Sequence, residues 1–294
     1  MTAIDVFRLR ILRHMASLPS FANSWVTWQT HLDSICPPLN PTPIQIFQIG
    51  EHLSNIFRAN VVVGRGQGAV SSGGTAWECL IEWYLNLIFW GTPVLVARRN
   101  NSFIPQFVRN SLAVTISNHS TNAESDIIAY SIPNVGAAVN LSLVQINQLI
   151  SATPTQANLG VVQCKTNWND NAQIPMLWDL IYNATGNNRV PNVSVGIHGA
   201  SPLAFRHFSY AFSTVPTTST NYTANSLAVL RVRNMTGGNY WGKQTFPGVA
   251  SAMSEYFGRN FAAYFAQAGG VPAHIAAQQA VDPLFYERFR TITF

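Results

Sequence analysis

The stretch that decides the fold is Leu159–Tyr182, LGVVQCKTNWNDNAQIPMLWDLIY. It opens with the apolar run Leu159–Val162, which is typical of a buried strand. The alternation of side chains along a strand places Gln163 and Lys165 on one face and Cys164 on the other. A polar turn and a helix follow. In α/β sheets, ligand-binding and catalytic sites form at the carboxyl ends of strands, where a turn leads into a helix.

The composition allows a full hydrophobic core but leaves few charges for the surface. Of the 294 residues, 47% are hydrophobic and only 10% are charged. The formal net charge is +5 and the pI is about 9.3, which favours anionic partners. We expect a single domain over residues 1–294, with 1–60 as a helical N-terminal subregion.

The cysteines and the apolar runs indicate a cytoplasmic protein that does not cross a membrane. The three cysteines are far apart, without the spacing of a zinc site: Cys36, Cys79 and Cys164. The longest apolar run, 79–96, is interrupted by Glu82, Asn86 and Pro93, which argues against a membrane span. The first 17 residues lack the apolar core and cleavage site of a signal peptide.

Periodicity predicts helices and strands that alternate along the chain. Helices are expected over 1–18, 44–58, 75–89, 141–152 and 248–267, with another that begins near 171. Strands are expected over 93–97, 112–116, 125–130, 159–165, 193–197, 205–215 and 227–232, and loops over 64–74 and 237–243. This mixture predicts an α/β fold with a mixed central sheet flanked by helices.

A few polar residues stand inside these apolar elements. Glu78 lies on a helix, Asp126 opens a strand, and Gln163 and Lys165 end another. Carboxylate and amide oxygens are ligands that Mg²⁺ accepts, and a bound Mg²⁺ activates water for phosphodiester hydrolysis. Lys165 would position that water or stabilise transition-state charge. We therefore predict a metal site formed by Asp126, Glu78 and Gln163.

The order of these residues resembles the PD-(D/E)xK nuclease core. Val161-Val162-Gln163-Cys164-Lys165 is similar to the Gln-Cys-Lys form of Mrr-like restriction enzymes, and the helix with Trp77-Glu78 resembles the acidic first helix of that core. The resemblance covers about residues 75–200, and it implies a restriction-endonuclease-like core, Mg²⁺ and double-stranded DNA. It departs from the family pattern at Ser125, which replaces a proline, and at Gln163, which replaces the second acid.

Each of these residues also has an alternative interpretation. Thr75 and Glu78 fit a capping box, which would explain Glu78 without a metal. Asp126 could cap a turn, and Lys165 could extend along the surface from a strand end. Glu82, one helical turn after Glu78, and Glu124, two residues before Asp126, are the reserve acids.

DNA contact requires cations for phosphates and forked donors for base edges. The candidates are Arg98, Arg99, Arg231, Arg233, Tyr240 and Lys243. The resulting prediction is a type II restriction endonuclease that acts as a homodimer, since a two-fold dimer matches a palindromic site. The alternatives are a DNA-binding protein without cleavage activity and an Mrr-like nuclease that needs modified DNA.

Overall fold

The computed structural model describes residues 1–59, 67–122, 125–136, 140–166, 174–186, 191–215, 230, 232–240 and 252–292. Its helices are α1 (Ala3–Ala16), α2 (Pro19–Ile35), α3 (Pro43–Arg58), α4 (Gln67–Ile88), α5 (Gln106–Ser111), α6 (Leu143–Ala152), α7 (Ile174–Ala184), α8 (Glu255–Asn260), α9 (Gly270–Val281) and α10 (Phe285–Arg290). Its strands are β1 (Val94–Arg98), β2 (Ala113–Ile116), β3 (His119–Asn122), β4 (Ile127–Ser131), β5 (Asn158–Lys165), β6 (Val193–Val195), β7 (His207–Thr214) and β8 (Gly238–Tyr240).

The main sheet has five strands in the order β1-β4-β5-β7-β8. β4 is antiparallel to both of its neighbours, β1 and β5, whereas β7 runs parallel to β5 and β8 runs parallel to β7. Three antiparallel strands in the order β3-β2-β6 form a small second sheet. The prediction of an α/β fold with a mixed sheet flanked by helices is confirmed.

Both faces of the main sheet are covered, which is why β5 reads as a nearly continuous apolar run. One face packs on α4: Val96, Ile127 and Val162 belong to the same buried cluster as Trp77 and other residues of that helix. The opposite face packs on α6 and α7. The side-chain alternation predicted for β5 therefore separates two cores.

The terminal helices join the α4 side of the sheet. Trp25 of α2 lies 5.3 Å from Trp83 of α4, measured between ring centroids. The indole nitrogen of Trp83 donates to the carbonyl oxygen of Phe289 at 3.0 Å. A single buried cluster therefore extends from α1 and α2, through α4, to α10.

Several predicted elements differ from the structure. The predicted loop 64–74 is helical from Gln67, because α4 begins earlier than Thr75. The predicted strand 227–232 is wrong where it is described, since Leu230 and Val232 are helical. The predicted loop 237–243 includes β8, and the predicted helix 248–267 is reduced to α8 and a 3-10 turn, Ala262–Phe265. Local pattern misses β8, a strand of three residues, because so short an element is stabilised by its neighbours.

Candidate functional site

Asp126 links three strands at one end of the sheet. Its backbone oxygen accepts a hydrogen bond from the N–H of Arg99 at 3.1 Å, directly after β1. Its carboxylate Oδ2 accepts a hydrogen bond from the N–H of Cys164, near the end of β5, at 2.7 Å. Asp126 therefore lies beside the middle residue of Gln163-Cys164-Lys165, as an aspartate at the start of β4 and a motif at the end of β5 require in an antiparallel pair.

The sheet register extends this adjacency into a row. At this end of the sheet the ladder pairs are Arg98 with Ile127 and Ile127 with Val162. One residue further along, the row runs from Arg99 through Asp126 to Gln163, which pairs with Phe212 of β7. Directly opposite residues in a sheet lie about 5 Å apart, so the predicted aspartate and glutamine positions are neighbours on adjacent strands.

The side chain of Gln163 is directed into the core. It is fully buried, and its Oε1 accepts a hydrogen bond from the hydroxyl of Tyr210 at 3.3 Å. Its Nε2 has no hydrogen-bond partner among the described residues. The oxygen and nitrogen of an amide can exchange places by a rotation of 180°. After that rotation the amide nitrogen would face Tyr210 and the oxygen would become available to another group.

Glu78 forms an ion pair with a residue outside its own helix. Thr75 lies within α4 and not at its start, so the capping-box interpretation of Glu78 is wrong. The Glu78 Oε2 instead accepts a hydrogen bond from the Nε of Arg98 at 2.8 Å, and both side chains are partly buried. Arg98 also approaches Cys79 Sγ at 3.6 Å. This pair occupies the α4 face of the sheet, so a DNA contact by Arg98 would require it to open.

Glu82 is less suited to bind a metal than Glu78. It is 3% exposed, and its Oε1 accepts the backbone N–H of Arg98 at 3.2 Å. Burial raises the pKa of Glu82 from 4.5 to about 8, although the Arg98 charge opposes this rise. A carboxyl group that is largely protonated at neutral pH is a poor ligand for Mg²⁺. Of the two acids on α4, Glu78 is the one placed to bind a cation.

Charged groups of the predicted site surround Cys164. Burial raises the pKa of its thiol well above the ordinary value. The negative charges of Asp126 and Glu78 add to that rise, and the positive charges of Lys165 and Arg98 oppose it. The structure therefore brings Asp126, Glu78 and Lys165 within electrostatic range of one buried sulfur. The buried amide of Gln163 lies on the other face of the strand.

The predicted DNA contacts separate into several groups. Arg99 is exposed, next to Asp126, and Arg233 is exposed in a helical segment. The strand face that was predicted to hold both Arg231 and Arg233 is not formed, because Val232 and Arg233 are helical. Tyr240 is fully buried, and its hydroxyl donates to the carbonyl oxygen of Gly237 at 2.6 Å, which contradicts a surface role. The other candidates lie outside the described residues: Arg231, Lys243 and the reserve acid Glu124.

The donors that could hold a cation are the carboxylates of Asp126 and Glu78. Among the described residues there is no group of three or more histidine, cysteine, aspartate or glutamate side chains arranged as a metal set. The third predicted ligand is Gln163, and glutamine is not one of these four residue types. The donor chemistry of two carboxylates and one amide oxygen suits Mg²⁺.

Arg109 was not identified from the sequence. It lies on α5 within a six-residue helix, QFVRNS, that has no recognisable motif. The fold brings it to the same cleft as Arg99 and Ser125. Only the shared cleft shows this relationship, because the residues belong to different segments of the chain.

Comparisons with protein-family models, with curated proteins and with solved structures found no match. Within the described part of the chain, no helix is both long enough and apolar enough to span a membrane.

Proposed function

We propose that this protein is a Mg²⁺-dependent endonuclease that hydrolyses phosphodiester bonds in double-stranded DNA at a specific sequence. The observation that supports this most directly is the 2.7 Å hydrogen bond between the Asp126 carboxylate and the N–H of Cys164. It brings the aspartate that precedes β4 beside the Gln-Cys-Lys end of β5. The same order in the sequence carries the resemblance to PD-(D/E)xK nucleases.

In this proposal each residue has a separate role. Asp126 and Glu78 hold Mg²⁺. Gln163 lies on the face of β5 opposite Glu78, so its amide oxygen completes the protein ligands only if the end of β5 rearranges when the metal binds. When bound, Mg²⁺ lowers the pKa of a coordinated water and stabilises charge on the phosphorus oxygens. Lys165 orients the attacking water or neutralises charge in the transition state.

The proposed enzyme is a type II restriction endonuclease in a restriction-modification system, and it acts as a homodimer in the cytoplasm. Two copies related by a two-fold axis would cut both strands of a palindromic site. The three cysteines, all free and buried, suit a reducing compartment. The five-stranded mixed sheet would then be a restriction-endonuclease-like core.

One observation favours a second function, a DNA-binding protein without cleavage activity. Gln163 is fully buried against Tyr210, and Glu78 is paired with Arg98. If neither residue rearranges, Asp126 alone of the three predicted ligands remains for a metal. The net charge of +5 would still favour DNA.

The test is digestion of unmethylated phage DNA with and without Mg²⁺, followed by sequencing of the fragment ends. We expect discrete fragments that require Mg²⁺, and we expect Asp126→Asn to abolish them. Asp179→Asn, on α7 and outside the predicted ligands, is the matched control and should cut normally. Cleavage by Asp126→Asn at the rate of the natural protein would contradict the proposal.

The same assay separates the alternatives. A protein that retards a DNA duplex but cuts neither methylated nor unmethylated DNA would be a binding protein. A protein that cuts only methylated DNA would be an Mrr-like, modification-dependent nuclease.

A further inference from the structure

A polar cleft of about 320 Å³ opens beside the start of β4. Its walls come from the segment after β1, from α5, from the small sheet and from β4. The polar residues that line it include Arg99, Asn101, Arg109, Asn110, Ser120 and Ser125. This volume lies at the lower end of the range in which proteins bind small molecules or parts of larger ones.

The charge of the cleft favours an anion. Arg99 and Arg109 both line it, and none of the described lining residues is acidic. The guanidinium of Arg109 donates a hydrogen bond to Oε1 of Gln106, which is a neutral acceptor. The Nε of Arg109 is buried and has no hydrogen-bond partner in the described structure. Arg109 therefore brings to the cleft a positive charge that the described lining residues, none of them acidic, do not neutralise.

The position of Arg109 is fixed by its neighbours on α5. Gln106 accepts from Arg109 and, through its own Nε2, donates to Oδ1 of Asn110 at 2.5 Å. This short chain of hydrogen bonds orients the guanidinium before any ligand binds. A planar guanidinium held in this way matches the oxygens of a phosphate group.

The cleft adjoins the candidate catalytic residues. Ser125, which lines the cleft, immediately precedes Asp126. Arg99, which also lines the cleft, donates its backbone N–H to the carbonyl oxygen of Asp126. A group in the cleft would therefore lie close to a phosphodiester bound at Asp126.

We propose that Arg109, in the cleft that it lines together with Arg99, binds a phosphate oxyanion. In a nuclease the oxyanion is a phosphodiester of the bound duplex near the cleaved bond, and this part of the inference rests on the proposed function. A free phosphorylated small molecule offers the same chemistry. The two sources are separated by testing duplex DNA and inorganic phosphate independently.

The first experiment measures the affinity for a labelled duplex by fluorescence anisotropy, in EDTA, at several salt concentrations. Arg109→Gln should bind about tenfold more weakly, because a charge-assisted hydrogen bond is lost. For this variant the slope of log affinity against log salt concentration should decrease in magnitude by about one, since one phosphate contact disappears. Arg288→Gln, which removes an exposed arginine of α10, is the matched control and should leave both quantities unchanged.

The second experiment compares thermal melting in inorganic phosphate and in chloride at equal ionic strength. Phosphate should raise the melting temperature of the natural protein and of Arg288→Gln but not that of Arg109→Gln. Arg109→Lys keeps the charge and loses the planar fork, so it should retain the salt dependence while it binds the duplex several-fold more weakly. This variant also covers the case in which Arg109→Gln folds poorly.

The outcomes are distinct. If Arg109→Gln weakens duplex binding and also abolishes the stabilisation by inorganic phosphate, the cleft binds a DNA phosphate. If only the stabilisation by inorganic phosphate is lost and the duplex affinity is unchanged, the cleft binds a small phosphorylated ligand. If neither effect changes in a folded Arg109→Gln, the inference is overturned. Neither experiment requires Mg²⁺ or cleavage, so a failure of the proposed nuclease activity would be seen separately in the digestion assay.

Discussion

The carboxylate of Asp126 accepts a hydrogen bond from the N–H of Cys164 at 2.7 Å, although the two residues are 38 positions apart in the chain. In the β4–β5 ladder this N–H would otherwise lack a backbone acceptor, because β4 begins one residue later, at Ile127. The aspartate therefore completes the ladder in the place where it would also bind a metal. This structural role of Asp126 is compatible with the proposed catalytic role.

This dual role predicts different effects for two substitutions of Asp126. Asp126→Ala leaves the Cys164 N–H without its acceptor and should lower the free energy of unfolding by about 1–3 kcal/mol. Asp126→Asn keeps an oxygen acceptor and should be nearly as stable as the natural protein while losing cleavage. Urea denaturation measures the first quantity, with Asp179→Ala as the control. Equal stabilities of the Ala and Asn variants would show that the hydrogen bond contributes little.

Replacing the Gln163 amide with a carboxylate should strengthen the binding of Mg²⁺. Gln163→Glu should retain cleavage and lower the Mg²⁺ concentration needed for the half-maximal rate, because a charged oxygen binds the ion more tightly. Without metal, the buried carboxylate is costly, so this variant should melt at a lower temperature in EDTA and recover with Mg²⁺. Gln163→Ala should raise the Mg²⁺ requirement or abolish activity.

Two measurements check this, a Mg²⁺ titration of cleavage and thermal melting with and without Mg²⁺. A folded Gln163→Ala variant with an unchanged Mg²⁺ requirement would remove Gln163 from the ligands. The motif would then be reduced to Lys165.

The raised pKa of Glu82 predicts a pH dependence of stability. The folded protein holds its proton up to about pH 8, whereas the unfolded chain releases it near 4.5. The stabilising effect of the protonated form is thus complete below about pH 4.5 and is lost as the pH rises towards 8. Glu82→Gln keeps an oxygen for the Arg98 N–H and carries no charge, so it should be more stable than the natural protein at pH 8.

The expected gain at pH 8 is on the order of a few kcal/mol. Denaturation at pH 5 and pH 8 measures it, with Glu287→Gln on α10 as the control. If the gain is the same at both pH values, the carboxyl group of Glu82 does not titrate in this range.

The buried pair of Arg8 and Asp5 predicts a large loss of stability. Their side chains are 0% and 2% exposed, and Arg8 also donates to the carbonyl oxygens of Thr92 and Val94 at 3.0 and 2.6 Å. Arg8→Met preserves the length of the side chain but leaves the Asp5 carboxylate without its cation. We expect the free energy of unfolding to fall by about 3–5 kcal/mol.

Arg10→Met, on the exposed side of the same helix, is the control and should change stability by less than about 1 kcal/mol. Chemical denaturation measures both variants. A small effect of Arg8→Met would mean that water reaches Asp5 in the variant and solvates its charge.

The elements with strong patterns were predictable from local sequence. β5 has an apolar run of the right length and is observed at the predicted position. The apolar helix α4, with buried Trp77 and Trp83, ends within one residue of the predicted end but begins at Gln67 instead of Thr75. α2 and β8 were missed. α2 packs its apolar residues Phe21, Trp25 and Trp28 into a shared core, and β8 has only three residues that depend on pairing with β7.

The sequence alone determined that Gln163 and Lys165 end a buried strand, that Asp126 opens another, and that Glu78 lies on an apolar helix. The tertiary structure decided that Asp126 meets Cys164, that Glu78 faces Arg98, and that Tyr240 is buried. It also decided that Arg109 shares a cleft with Arg99. The physical reason is that local patterns report the period of side chains along one element. Contacts between distant residues depend on strand order, register and the packing of helices on the sheet.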